Sequence, residues 1–200
     1  MRPPICCSLR RPSSRQAANR PRICVWLWTG RQAREAVLPR NAVDFQRCAT
    51  QAVAFGKDVL GLDSFLSPQR PADWNADRAF EVVFALSFFS HMPDATFGLW
   101  LERLLRSVTH GGIFIFTTHG AISIRNMRAN GLDAAFDENG YYWNGQSDQR
   151  DLDSKDYGTS AVTFSYVLRA IRALPECELI RFQQAFWWAH QDVYVLRKQK

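Results

Sequence analysis

The 200-residue chain is 46% hydrophobic and 22% charged, with 14 Phe and 7 Trp, which excludes wholesale disorder and suits one domain around a single core. Its net charge of +6 is lopsided: nine arginines and one acid, Glu35, fall in residues 1–40, whereas residues 41–200 hold 16 basic and 18 acidic side chains. The folded part thus has no surplus to neutralise a phosphate backbone, and nucleic acid is not an expected partner.

Residues 1–40 show no hydrophobic periodicity. Their Pro and Arg clusters predict a poorly structured or non-native segment that stands outside a domain spanning residues 41–200. The longest apolar run there, residues 23–28, is far short of the roughly 20 residues of a membrane span. No membrane partner is expected. An Arg-rich, acid-poor start is a second reading as an organellar transit peptide, but Pro3, Pro4, Pro12 and Pro21 would break its amphipathic helix. Five cysteines, an odd number with no CxxC pair, fit reduced thiols in the cytoplasm.

Further along, residues 41–55 predict a helix ending at Gly56, and residues 63–66 a short strand followed by a Pro-punctuated loop to Arg78. Residues 80–86 form a nearly continuous apolar run, the pattern of a strand covered on both faces in a parallel sheet. Asp94 is placed to cap a helix whose Phe97, Leu101, Leu104, Leu105 and Val108 share one stripe. Gly111 and Gly112 then read as the turn before a buried strand at 113–116, which makes strand, helix and strand a right-handed crossover. Residues 121–157 predict a long polar connection, a lid or binding loop, with Tyr141, Tyr142 and Trp143 as lid candidates. A second helix, carrying Phe164, Leu168, Ile171 and Leu174 on one face, stops at Pro175, and strands at 178–186 and 192–196 close the chain as a hairpin.

Three segments, FEVVFALSFFSHMP (80–93), HGGIFIFTTHG (110–120) and HQDVYVLRK (190–198), together resemble strand four, strand five and the terminal hairpin of class I S-adenosylmethionine (SAM)-dependent methyltransferases. More weakly, NAVDF (41–45) resembles the helix start after strand two, and residues 63–67 strand three. The resemblance implies an α/β, Rossmann-like sheet, parallel with an antiparallel C-terminal edge hairpin. It also implies SAM across the carboxyl ends of the first, second and fourth strands, the usual ligand position in open α/β sheets. Upstream of Asn41 the family's Gly-rich first turn and ribose-binding acid are not found: the one glycine before Gly56 is Gly30. The N-terminal strands are therefore expected to be missing or degenerate. Either the protein is itself degenerate or a truncated start precedes a methyltransferase body, and the second is the working expectation.

By the resemblance, Ala85, Leu86, Ser87 and Phe88 meet the cofactor, while His91 and His119, each just beyond a strand, are candidates to contact an acceptor as bases. The implied activity is methyl transfer to a small-molecule or glycan-like acceptor; the alternative is an inactive remnant that binds a partner or nothing. A hydrolase is disfavoured because Ser87 lacks the glycines of a G-x-S-x-G elbow, and a nicotinamide oxidoreductase because no G-x-G-x-x-G is present. His190 and Asp192 form a lone HxD pair, too little for a metal site.

Overall fold

A computed structural model describes residues 5–9, 23–27, 53–55, 57–59, 62–66, 68, 70–74, 79–145, 158–174 and 176–199. The main sheet is built from β1 (Ile5–Leu9), β2 (Ile23–Leu27), β3 (Leu62–Leu66), β4 (Phe80–Leu86), β5 (Val108–His119), β8 (Cys177–Trp187) and β9 (Gln191–Lys198). Their spatial order is β3-β1-β2-β4-β5-β9-β8. β2, β4 and β5 run parallel, β1 is antiparallel to both neighbours, and β9 is antiparallel to β5 and β8. The expected parallel sheet with an antiparallel C-terminal hairpin is present.

Two short stretches of the first forty residues belong to the sheet. β1 and β2 both come from that segment, and β2 lies beside β4, where the sheet's first strand belongs. The apolar run that contains β2 is only five or six residues long between Arg- and Pro-rich flanks, enough for a strand but too short for a periodicity to register. Most of the predicted helix at 41–55 lies outside the described residues; residues 53–55 are helical.

From β4 onward the apolar pattern dictates the packing. Helix α1 (Asp94–Arg106) buries Phe97, Trp100, Leu101, Leu104 and Leu105. They pack on Val83, Ala85, Phe114, Phe116, Tyr194 and Leu196 of the sheet. Phe89 is central: its ring lies 4.9 Å from Phe97 and 5.1 Å from Phe116, and Phe116 in turn stacks on Tyr194 at 4.9 Å. Asp94 is not a cap. Pro93 occupies the cap position, and the Asp94 carboxylate instead accepts the Tyr166 hydroxyl.

Gly111 and Gly112 do not precede β5; they form a bulge within it. The register jumps from Phe80 opposite Val108 to Val82 opposite Ile113. Gly111 has φ +74, and a Cβ on Gly112 would stand 2.8 Å from the Glu81 carbonyl. Residues 121–145 are likewise more regular than predicted. Helix α2 (Ala121–Ala129) is followed by β6 (Tyr141–Asn144), which pairs with β7 (Thr159–Val162) in a separate two-stranded sheet; the rest of the predicted loop, 146–157, lies outside the described residues. Tyr141 and Tyr142 are buried, not lid residues: the Tyr141 hydroxyl donates to the Met92 carbonyl at 2.7 Å, and Tyr142 joins a small cluster with Ile124, Ala134 and Ala161.

Helix α3 (Phe164–Arg172) is capped by Thr163, whose hydroxyl accepts the Tyr166 N–H at 3.2 Å. Its buried face is Val167 and Ile171, whereas Phe164, predicted on the stripe, is exposed. Lys198, at the end of β9, turns its ammonium onto the carbonyls of Arg106 (3.2 Å) and Val108 (2.9 Å), which satisfies a buried charge at the C-terminus of α1. Among the described residues no helix is long and apolar enough to cross a membrane.

Candidate active site

The carboxyl ends of β4 and β5 lie side by side, and the polar residues gather there. Where β4 ends, Ser87 adopts φ +51, a left-handed conformation that a residue with a Cβ seldom takes. Three contacts hold it. Its N–H donates to Thr117 Oγ1 at 2.8 Å, and its carbonyl accepts the Ser90 hydroxyl at 3.0 Å. The Gln191 amide straddles its hydroxyl: Nε2 donates to Ser87 Oγ at 2.8 Å, while Oγ lies 3.1 Å from Oε1. Gln191 itself is only 3% exposed. Strained backbone of this kind persists where its surroundings impose it, and it clusters at ligand-binding sites.

The other predicted cofactor residues divide. Leu86 is half-buried beside Ser87, but Ala85 is wholly buried in the core. Phe88 is not a pocket wall, because the chain turns inward after Ser87 and packs its ring edge-on against Phe89 (5.2 Å) and Trp100 (5.3 Å). The Phe88 carbonyl accepts the His91 N–H at 3.3 Å.

The two predicted histidines do come together. His91 closes the 3-10 turn Phe89–His91 and His119 ends β5, with ring centroids 6.3 Å apart. Strand β7 and the residue before it anchor both. The Gly158 carbonyl lies 2.8 Å from His91 Nδ1, and the Ser160 carbonyl 3.1 Å from His119 Nδ1. A carbonyl can only accept, so each Nδ1 carries the hydrogen and each Nε2 has the lone pair. Ser160 is itself tied to the turn through its hydroxyl, which donates to the Phe89 carbonyl at 3.0 Å. Burial pushes His91 down to about 4. Burial, aided by the neighbouring His91 and His190, pushes His119 to about 3. Both rings are therefore neutral at pH 7.

His190 is a third imidazole, 5.5 Å from His119, and its carbonyl accepts the Ser123 hydroxyl at 2.5 Å. The HxD pair does not act as a unit. Asp192 is buried away from solvent, its Oδ1 accepting the Ala185 N–H at 2.8 Å. Its Oδ2 presses so close to Gly120 that a Cβ there would sit 2.0 Å away. Burial raises this carboxyl above the usual range. Among the described residues no group of three or more His, Cys, Asp or Glu side chains is arranged to hold a metal.

Sequence reading alone gives no site role to Thr117, Ser160 or Gln191, and meets His190 only in the weak HxD pair. The available signal is weak: Thr117 follows the predicted strand at 113–116, Gln191 precedes the one at 192–196, and Ser160 lies between the predicted loop and the second helix. A groove of about 520 Å³ between α1 and α3, lined by Asp94, Gly98, Glu102, Ala170 and Leu174, contains none of these side chains.

This sheet is a Rossmann-like α/β fold of the kind seen in SAM-dependent methyltransferases of known structure. A SAM-dependent methyltransferase from Clostridium acetobutylicum ATCC 824 superimposes with a TM-score of 0.51 at 12% identity, over 76% of this chain and 71% of that one. Magnesium protoporphyrin IX methyltransferase from Synechocystis PCC 6803 with bound S-adenosylhomocysteine (SAH) follows at TM-score 0.46 and 8% identity, over 77% of this chain and 61% of its own. The 1,6-didemethyltoxoflavin-N1-methyltransferase of Burkholderia thailandensis gives 0.44 and 15%, over 65% of this chain and 48% of its own. The chain thus spans less than two thirds of the latter two. Neither a protein-family model nor a curated protein sequence matches it.

Proposed function

We propose that this chain is a SAM-dependent methyltransferase of the cytoplasm, with a small-molecule or glycan-like acceptor. The reading is supported above all by the juxtaposition at the ends of β4 and β5 of a left-handed Ser87 and two neutral imidazoles. The fold points the same way, since ligands of open α/β sheets sit outside the carboxyl ends of the strands.

The residues present fit the methionine end of the cofactor. Leu86, Ser87 and the Phe88 backbone form a constrained turn at the strand end, with Thr117 and Gln191 behind it. When bound, SAM supplies an electrophilic methyl group on a sulfonium. His91 and His119, as neutral imidazoles side by side, would flank the acceptor's O–H or N–H and orient its nucleophilic atom. With pKa values of about 4 and about 3 they are weak bases, so positioning and exclusion of water account for more of the rate than proton abstraction. No charge develops on either ring before the transfer.

One observation favours the inactive-remnant alternative. β1, in the sheet position next to β2, runs antiparallel, so its carboxyl end lies at the opposite edge of the sheet from those of β2 and β4. An acid at the end of that strand would therefore be out of reach of a ribose. Calorimetric titration of SAH into the full chain separates the readings. Saturable one-to-one binding in the micromolar range, lost on competition with SAM, is expected; no heat at millimolar SAH would overturn the methyltransferase reading in favour of the remnant.

A further inference from the structure

Gln191 touches both halves of the candidate site. As the first residue of β9 it lies in register opposite His119, while its side chain reaches Ser87, 104 positions away in sequence. We infer that Gln191 is a positioning residue that couples the cofactor end of the site to the acceptor end, by holding Ser87 in its left-handed conformation from a strand that is paired with His119. This rests on the methyltransferase reading above.

Its own placement is fixed from both sides. Before it, the hairpin turn Trp187–His190 is closed by the His190 N–H on the Trp187 carbonyl at 3.2 Å, and Ser123 holds the His190 carbonyl. After it, Asp192 is wedged between the Ala185 N–H and Gly120. A buried amide needs partners, and an ordinary extended backbone would supply them. Here the amide is instead spent on a hydroxyl of the residue whose backbone is strained. Releasing Ser87 would let the end of β4 relax toward extended geometry and swing its backbone and hydroxyl out of line with the strand ends. The fold would tolerate that release; a ligand read by that turn would not.

Stability and affinity are therefore separable. Ser87→Gly removes the strain, since glycine adopts φ +51 without cost, but also leaves the buried Gln191 amide without its hydroxyl partner, so the two effects offset and the melting temperature should stay close to the parent's. SAH affinity should nonetheless fall about tenfold, because the turn is no longer confined to one conformation. Gln191→Ala should weaken SAH by a similar factor, and the double variant should be no worse than either single one, since both remove the same constraint. Calorimetric titration with SAH and thermal melts on the four full-length proteins give the result. A Gln191→Ala protein that melts lower but binds SAH within about twofold of the parent would show the amide to be structural only, as would unchanged binding by Ser87→Gly. Additive losses in the double variant would also overturn the coupling. If the parent itself fails to bind SAH, the methyltransferase reading falls and takes this inference with it, whereas parent binding with indifferent variants removes the inference alone.

Discussion

The same strands carry two regions built on opposite rules. Beneath the sheet, Phe89, Phe97, Phe114, Phe116 and Tyr194 fill space with aromatic rings, all of them fully buried. At the strand ends a few residues later, Ser87, Thr117, His91, His119 and Gln191 are each tied to a named backbone or side-chain partner. The aromatic layer works by volume, so its members contribute through close packing and little else. The rim works by direction: its hydrogen bonds set a conformation and a protonation state, and shape alone would fix neither. Damage to the first should therefore appear in stability and damage to the second in pH response and affinity.

The largest expected effect tests the aromatic layer. Phe97→Ala removes a ring packed against Phe89 at 4.9 Å and Tyr166 at 5.2 Å, and should cost about 3–5 kcal/mol in urea denaturation. A loss below about 1 kcal/mol would mean that the layer is loosely packed and the contrast is false.

An intermediate effect tests the rim. His91 and His119 titrate at about 4 and about 3 in the folded protein, below the value near 6.5 of an unfolded chain. The unfolded state thus takes up protons first as the pH falls, so stability should decline from about pH 6.5 downward and level off near pH 3. Asp192, whose carboxyl is raised by burial, works in the opposite sense, its penalty easing as it is protonated. The difference between the parent and a His91→Gln/His119→Gln variant, followed by thermal melting from pH 7 to pH 4, isolates the imidazole contribution. The parent should show the steeper acid loss, and parallel curves would mean that the rings are not held neutral.

The smallest effect lies at the hairpin tip, where Trp188 and Ala189 take φ +50 and +56 in a turn that usually holds Asn-Gly. Ala189→Gly should raise stability by a few tenths to about 1 kcal/mol while leaving SAH affinity alone. A drop in stability would mean that the alanine methyl packs more than it strains.

Legibility in the sequence follows the same division. β4, α1, β5, α3 and the terminal hairpin are readable because apolar runs and a helical stripe reflect burial, and burial is what the aromatic layer requires. The limits of β4 match the expectation, and the family resemblance rests in part on that segment. β2 is legible only as a short apolar run, since five residues between Arg- and Pro-rich flanks carry no period. Gly111 and Gly112 invite a wrong reading because a bulge and a turn demand the same residue. His91 and His119 are readable as chemistry at strand ends. Their partners are not: the carbonyls of Gly158 and Ser160 lie about forty to seventy residues away along the chain, and an accepting carbonyl leaves no trace in residue type. Gln191 is hidden for the same reason, since nothing local tells which amide will bond a serine far along the chain.

β9 lies between β5 and β8, although it follows both in the chain. During synthesis, at about 5–20 residues per second, β5 and β8 emerge before the strand that will separate them. They must either wait apart with a vacant slot or be pried open after pairing wrongly. Gln191 leads that late strand, so the turn at Ser87 has no amide to hold it until the slot is filled. A ribosome-bound chain halted just before β9 would be aromatic-cored but open-edged, the sort of species that chaperones recognise, and closing the sheet and completing the site would be one event.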